Sequence, residues 1–161
     1  MPKLCYESIG TFLCMLMLGI SAVTDIRRRE IPITLCAICA AISCIFHCYY
    51  QTGWMEYVAA SAFFLILYFI QAIFFTGSGG DIILMASFGL IEGVPGSLVA
   101  VVISGVALTI YVLMRRRRAS DEVPLAPFVL IGYILYFLLK QTGILDTYIR
   151  YVHLIFKGAI L

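Results

Sequence analysis

Long apolar runs, separated only by short polar breaks, constrain this sequence more than any other feature. Six such runs can be drawn, at residues 4–24, 31–50, 54–75, 81–91, 97–114 and 125–139. A helix needs about 20 apolar residues to cross a bilayer. Only 12% of the 161 residues are charged, whereas a soluble domain has about 25%. The sequence therefore predicts an all-α polytopic integral membrane protein, with about six transmembrane helices in a single membrane domain over residues 1–161.

Two of these runs need comment. The first run lacks a small-residue cleavage site and is followed by Asp25 and Arg27 to Arg29, so we interpret it as a retained transmembrane helix and not as a signal peptide. The fourth run is too short to cross about 30 Å of hydrocarbon alone. Either it begins deeper in the membrane than the others, or the glycine-rich segment before it dips into the bilayer.

The arginines predict the topology. Arg27 to Arg29 lie between the first two runs, and Arg115 to Arg118 lie between the last two. Lys and Arg in short loops mark the cytoplasmic side of a membrane protein. Six spans then place both termini outside the cell membrane. Because topology explains the basic residues, the net charge of +2 gives no reason to expect a nucleic-acid partner.

The C-terminal tail, residues 144–161, differs from the apolar runs. Charged or titratable residues recur at three- or four-residue spacing, with apolar residues between them at a helical spacing of their own. This pattern predicts an amphipathic helix lying on the outer membrane surface. The polar positions are Asp146, Arg150, His153 and Lys157.

The cysteines offer a possible metal site, which we set aside. Cys36 and Cys39 form a C-x-x-C pair, and His47 precedes Cys48. All four lie inside one apolar run, where free cysteine behaves as a small hydrophobic residue. A second ligand pair at zinc spacing is missing, so we expect no metal and no other cofactor.

Two of the nine acids stand out. Asp25 closes the first helix and Asp81 opens the fourth, so both fall at the cytoplasmic edge of the membrane. The other acids lie outside in this topology, or in basic loops where solvation and capping explain them. Asp25 could still be a polar residue that merely flanks a span, and Asp81 could merely cap its helix.

A pair of carboxylates on one side of a water-poor site suggests peptide hydrolysis without a metal or a covalent intermediate. One acid acts as the base on a water while the other protonates the substrate carbonyl. Helix dipoles favour the anion at Asp81, at a helix N-terminus, and disfavour it at Asp25, at a C-terminus. This predicts Asp81 as base and Asp25 as acid, although Arg27 to Arg29 oppose the assignment and coupled acids resist it. Gly79 and Gly80 are expected to give an extended substrate close access to the backbone.

At these residues the sequence resembles the type IV prepilin peptidase family, membrane aspartic proteases of the GxGD class. "TDIRRREIP" is similar to the family's first catalytic stretch and "GSGGDIILMASFG" to its second, with Asp25 and Asp81 on the catalytic positions. "EVPLAPFVLIG" resembles the opening of the family's last conserved helix. Three positions depart from the family pattern: Ser78 replaces the first glycine of GxGD, Ile83 a frequent lysine, and Ile33 a usual asparagine.

The resemblance implies an endopeptidase that removes the short basic leader of prepilin-like proteins at the cytoplasmic face. It also implies a short, peptidase-only form, because the cysteine-rich N-terminal segment of bifunctional members has no counterpart here. The expected partners are prepilin-like substrates and the lipid bilayer.

Two other functions compete with the peptidase. A catalytically silent pilus-assembly scaffold of the same family is suggested by the three departures, although both acids are retained. A small proton-coupled transporter also uses intramembrane acids and glycine-broken helices. Transporters favour acids near the membrane midplane, whereas both candidates here lie at one edge.

Overall fold

The computed structural model describes residues 2–50, 54–74, 79–115 and 123–158. Every regular element within these ranges is an α-helix, so the all-α prediction is confirmed. The predicted loop residues Gln51 to Gly53, Thr76 to Ser78 and Arg116 to Glu122 lie outside the described residues. The helices are α1 (Pro2–Arg28), α2 (Ile33–Tyr50), α3 (Met55–Phe74), α4 (Gly79–Arg115), α5 (Ala126–Gln141) and α6 (Asp146–Gly158).

Four of these helices are long and apolar enough to cross a membrane by themselves, namely α1, α2, α3 and α4. A fifth crossing is possible if α5 and α6, which meet at an angle of 103°, form one broken span. Large apolar side chains cover the outside of the bundle, including Ile66, Phe69 and Val106. A chain with so apolar a surface is a multi-pass membrane protein.

The core is built where α1, α4 and α5 meet. Met17, Leu18, Leu84, Phe88 and Tyr133 are all fully buried there. The rings of Phe88 and Tyr133 meet edge to face, with their centroids 5.5 Å apart, a favoured aromatic geometry. Packing between these three helices therefore fixes their relative positions.

One glycine interrupts α4. Gly93 has φ 76° and ψ −179°, which no helix contains, while the residues on both sides are helical. The sequence predicted two helices here, 81–91 and 97–114, separated by several loop residues. The break is narrower than predicted because Pro95 follows it in the first turn of the resumed helix, where its missing N–H is harmless. We call residues 79–92 the first arm of α4 and residues 94–115 its second arm.

The two arms double back on each other at Gly93. Gly132 and Tyr133 are adjacent on α5, yet Gly132 packs against Ala100 of the second arm and Tyr133 against Phe88 of the first. Along a straight helix Phe88 and Ala100 would be about 18 Å apart. The first arm therefore runs one way through the bundle and the second arm returns.

The short helix α6 follows a turn at Gly143, whose φ is 74°. Val152 faces the protein, whereas Arg150, Tyr151 and Leu154 are exposed. The side chains of His153, Phe156 and Lys157, and residue Ile160, lie outside the described part of the tail. A helix thus exists where the sequence predicted one, and its place on a membrane surface stays a prediction.

Candidate active site

Asp25 lies in the last turn of α1, where its side chain is buried. Its Oδ2 atom accepts a hydrogen bond of 3.0 Å from the backbone N–H of Ala126, the first residue of α5. Leu125, at the N-cap position of α5, cannot cap that helix with an apolar side chain. Asp25 therefore supplies from α1 the oxygen that an Asp or Ser at the N-cap usually provides.

This contact changes the expected division of roles between the two acids. The sequence placed Asp25 only at the C-terminus of α1, where a helix dipole disfavours an anion. In the structure its carboxylate also lies at the N-terminus of α5, where the dipole favours an anion. Helix dipoles therefore give no reason to make Asp25 the acid and Asp81 the base.

Asp81 lies in the first turn of α4 and is half-buried. Its charge interacts with Tyr68, a buried side chain near the end of α3. Gly79 is exposed, and among the described residues no side chain or neighbouring helix lies within 4 Å of where its side chain would begin. The backbone beside Asp81 is therefore open to an approaching chain, while Ser78 lies outside the described residues.

The helix directions put both aspartates at one end of the bundle. α2 starts after a short connection from α1, so the two helices are antiparallel neighbours. His47, near the far end of α2, contacts both Leu90 of α4 and Tyr57 in the first turn of α3. The first arm of α4 then runs back along α3, because Gly89 packs on Ala60 and Asp81 interacts with Tyr68.

A contact between α1 and α4 deeper in the bundle shows how far each aspartate lies from it. Cys14 of α1 is in hydrogen-bond contact with Glu92 of α4, with 3.9 Å between Sγ and Oε2. Eleven residues separate Cys14 from Asp25, and eleven separate Asp81 from Glu92. Since a helix rises 1.5 Å per residue, each aspartate lies about 16 Å from that contact. Asp25 and Asp81 therefore both lie well away from that contact, toward the same end of the bundle.

Two members of this site escaped the sequence analysis, the backbone N–H of Ala126 and the ring of Tyr68. A backbone N–H donor cannot be recognised from the residue type, and a single tyrosine in an apolar helix is most often a core residue. The absence of a capping residue before Ala126 in "VPLAPF" was the available signal.

The cysteine and histidine side chains that the structure describes form no metal-binding group at this site. Cys36 and Cys39 are buried, whereas Cys44 and Cys48 are exposed. His47 uses its Nε2 atom, 3.1 Å from the Leu90 carbonyl oxygen. Across the ranges that the structure describes, no three His, Cys, Asp or Glu side chains group together as metal ligands.

Comparison with known proteins identifies the family. The comparisons with curated proteins and with solved structures gave no match. The family model for the type IV leader peptidase family matches residues 12–113, more than half of the chain. The matched segment contains both Asp25 and Asp81 and ends before α5. The chain therefore belongs to the type IV leader peptidase family.

Proposed function

We propose that this protein is an aspartic endopeptidase that removes the basic leader peptide of prepilin-like proteins at the cytoplasmic face of the cell membrane. The observation that carries the proposal is that Asp25 and Asp81 lie at one end of the bundle, within the segment that matches the family. The family supports peptide hydrolysis as the reaction, and the position of the two aspartates supports their proposed role in it.

The proposed chemistry needs one carboxylate and one carboxylic acid. The carboxylate takes a proton from a water, whose oxygen attacks the peptide carbonyl carbon, while the acid gives its proton to the carbonyl oxygen. The tetrahedral intermediate then collapses, the C–N bond breaks, and the leaving nitrogen receives a proton. The Ala126 N–H holds one oxygen of Asp25 in place and leaves the other for this chemistry.

The substrate is proposed to lie as an extended chain along Gly79 and Gly80. Both glycines directly precede Asp81, and Gly79 is exposed. Gly79 begins α4, and the N–H groups of a helix's first turn point away from the helix, toward a position where a substrate carbonyl can lie. The arginines are not proposed to bind a basic leader, because like charges repel. They are better suited to anionic lipid.

We infer six membrane-embedded segments for this enzyme, counting each arm of α4 separately. The first arm has 14 residues and is about 21 Å long, less than the roughly 30 Å of the hydrocarbon core. If Asp81 lies at the cytoplasmic edge, the turn at Gly93 lies within the membrane. Both termini then face outside, and α6 lies at the outer surface.

The test is co-expression with prepilin-like proteins from the same genome, followed by N-terminal sequencing of the products. We expect wild type to remove the leader, and Asp25→Asn and Asp81→Asn to lose cleavage while still inserting in the membrane. Asp146→Asn is the matched control, since it makes the same change at an exposed acid on α6. Cleavage by either site variant contradicts the two-aspartate mechanism. A well-expressed wild type that cleaves no candidate favours the silent scaffold.

The membrane orientation has its own test. Gly79→Cys introduces a thiol at an exposed position beside Asp81, and Thr147→Cys introduces one on α6. An impermeant maleimide added to intact cells should label position 147 and spare position 79, and inverted vesicles should give the opposite result. Labelling of position 79 from outside contradicts a cytoplasmic site.

A further inference from the structure

A second group of polar side chains lies about 16 Å from the aspartates, in the interior of the bundle. Tyr133 of α5 donates a hydrogen bond of 2.9 Å from its hydroxyl group to Oε2 of Glu92 on α4. Cys14 of α1 contacts the same carboxyl oxygen, and Thr11 of α1 bonds with the Tyr133 hydroxyl. We call Thr11, Cys14, Glu92 and Tyr133 the Glu92 cluster.

The cluster holds a carboxyl group in the interior of the bundle, at a depth where a carboxyl group is energetically unfavourable. Glu92 ends the first arm of α4, about 16 Å along the helix from Asp81 at the membrane edge. Ionisable residues at such depth are rare, and they normally face the protein interior and have partners there. Gly96 leaves room for the Glu92 side chain, since any larger residue would overlap it. The surrounding sequence therefore accommodates the acid.

The cluster joins the three helices that carry the proposed active site. α1 carries Asp25, α4 carries Asp81, and α5 donates the Ala126 N–H to Asp25. A sliding movement of α1 against α4 changes the level of one aspartate relative to the other by 1.5 Å per residue. Close packing of the apolar side chains already limits such sliding, and a hydrogen bond adds a constraint on both distance and angle.

We propose that Glu92 and Tyr133 are positioning residues, whose hydrogen bond sets the relative depth of Asp25 and Asp81. This inference rests on the proposed peptidase function for its consequence, although the geometry can be tested without it. Neither residue touches the substrate. Loss of their hydrogen bond should lower the catalytic rate, because a displacement of two catalytic acids by about 1 Å can reduce that rate up to a hundredfold.

The first experiment measures cleavage per folded enzyme in Tyr133→Phe. The phenyl ring keeps the edge-to-face contact with Phe88 and removes only the hydroxyl group. We expect kcat to fall about tenfold with KM unchanged. Ser104→Ala is the matched control, because its buried hydroxyl donates to carbonyls of its own helix, and it should keep the wild-type kcat.

A conservative series at Glu92 separates positioning from simple folding. Glu92→Gln keeps a side-chain oxygen that accepts the Tyr133 hydroxyl, so it should retain most of the rate. Glu92→Leu has no acceptor and should lose about as much rate as Tyr133→Phe, with no further loss in the double variant. The inference is overturned if Glu92→Gln and Glu92→Leu have the same kcat. It is also overturned if the activity lost in Tyr133→Phe is fully explained by a smaller amount of folded protein.

The second experiment measures the geometry independently of cleavage. Spin labels are attached at Arg27→Cys and Gly79→Cys, two exposed positions next to the aspartates, after replacement of Cys5, Cys44 and Cys48. Cys14, Cys36 and Cys39 stay, since they are buried from the label. Tyr133→Phe should shift or broaden the distance distribution by about 1.5 Å or more, and Ser104→Ala should not. If wild type and Tyr133→Phe give identical distance distributions, the inference is overturned, whether or not a substrate is cleaved. If the distribution shifts but wild type cleaves no substrate, only the proposed peptidase function is refuted.

Discussion

Gly93 is a position where one added methyl group should strain the backbone of this fold. Its φ of 76° and ψ of −179° fall in a region that is essentially restricted to glycine, and a side chain there costs about 1–3 kcal/mol. An added Cβ would also lie 3.1 Å from Cε1 of Tyr57. We therefore expect Gly93→Ala to destabilise the protein through both its backbone and its crowding.

The two contributions can be sized separately. The Tyr57 ring lies 3.9 Å from the ring of His47, measured between centroids, so it cannot move away from Gly93 freely. Crowding of this kind costs about 1–3 kcal/mol. A combined loss of about 3 kcal/mol corresponds to a fall of roughly 6–12 °C in the melting midpoint for a chain of this size. Adding Gly93→Ala to Tyr57→Ala should reveal the backbone part alone.

Thermal unfolding of the purified protein in one detergent measures the effect. Gly105→Ala is the matched control, because Gly105 is helical, exposed and free of neighbours within 4 Å, and alanine there should be neutral or slightly stabilising. Gly93→Asn should not restore stability, since asparagine tolerates the left-handed helical region, where ψ is near +47°, and not ψ of −179°. A Gly93→Ala melting midpoint equal to that of wild type refutes the strained turn and the doubling back of α4.

Two further substitutions test local packing and capping by the same melting assay. Gly89→Ala should destabilise the protein by about 1–3 kcal/mol, because its Cβ would lie 2.9 Å from the Ala60 backbone. Gly19→Ala is the control and should not destabilise it, since nothing is found within 4 Å of that position. Equal effects of the two substitutions would contradict the close α3–α4 contact. Arg29→Gly should stabilise by about 0.5–1 kcal/mol, since Arg29 directly follows α1 with φ 56°, a conformation that glycine adopts without strain. Arg27→Gly, inside the helix, should have the opposite sign, and a loss at Arg29 would contradict this reading of the cap.

The helices themselves were largely predictable from the sequence. The second and third apolar runs, 31–50 and 54–75, match α2 (Ile33–Tyr50) and α3 (Met55–Phe74) to within two residues. Hydrophobicity and length determine such segments locally, because every backbone group must be satisfied inside its own helix in lipid. The single-residue break at Gly93 was not predictable, since "EGVPG" is equally typical of a loop.

The contacts that organise the candidate site depend on residues far apart in the chain. Glu92 was expected to lie in an outside loop, yet its partners Cys14 and Tyr133 are 78 and 41 positions away. The N–H that binds Asp25 is 101 positions away. Local spacing identified both aspartates as candidates because each flanks a span, and it contained no information on which helix would face them.

The dual position of Asp25 determines how its variants must be interpreted. Its carboxylate is proposed to react with the substrate, and it also caps α5 through the Ala126 N–H. Asparagine keeps an oxygen that can accept this hydrogen bond and cannot exchange protons as a carboxyl group does. Alanine removes both properties and should lose about 0.5–2 kcal/mol of stability with the cap. If both variants fail to cleave and only Asp25→Ala melts early, the loss of cleavage belongs to the chemistry. If Asp25→Asn melts as early as Asp25→Ala, the cap depends on the charge of Asp25, and its effect on cleavage is no longer evidence of a catalytic role.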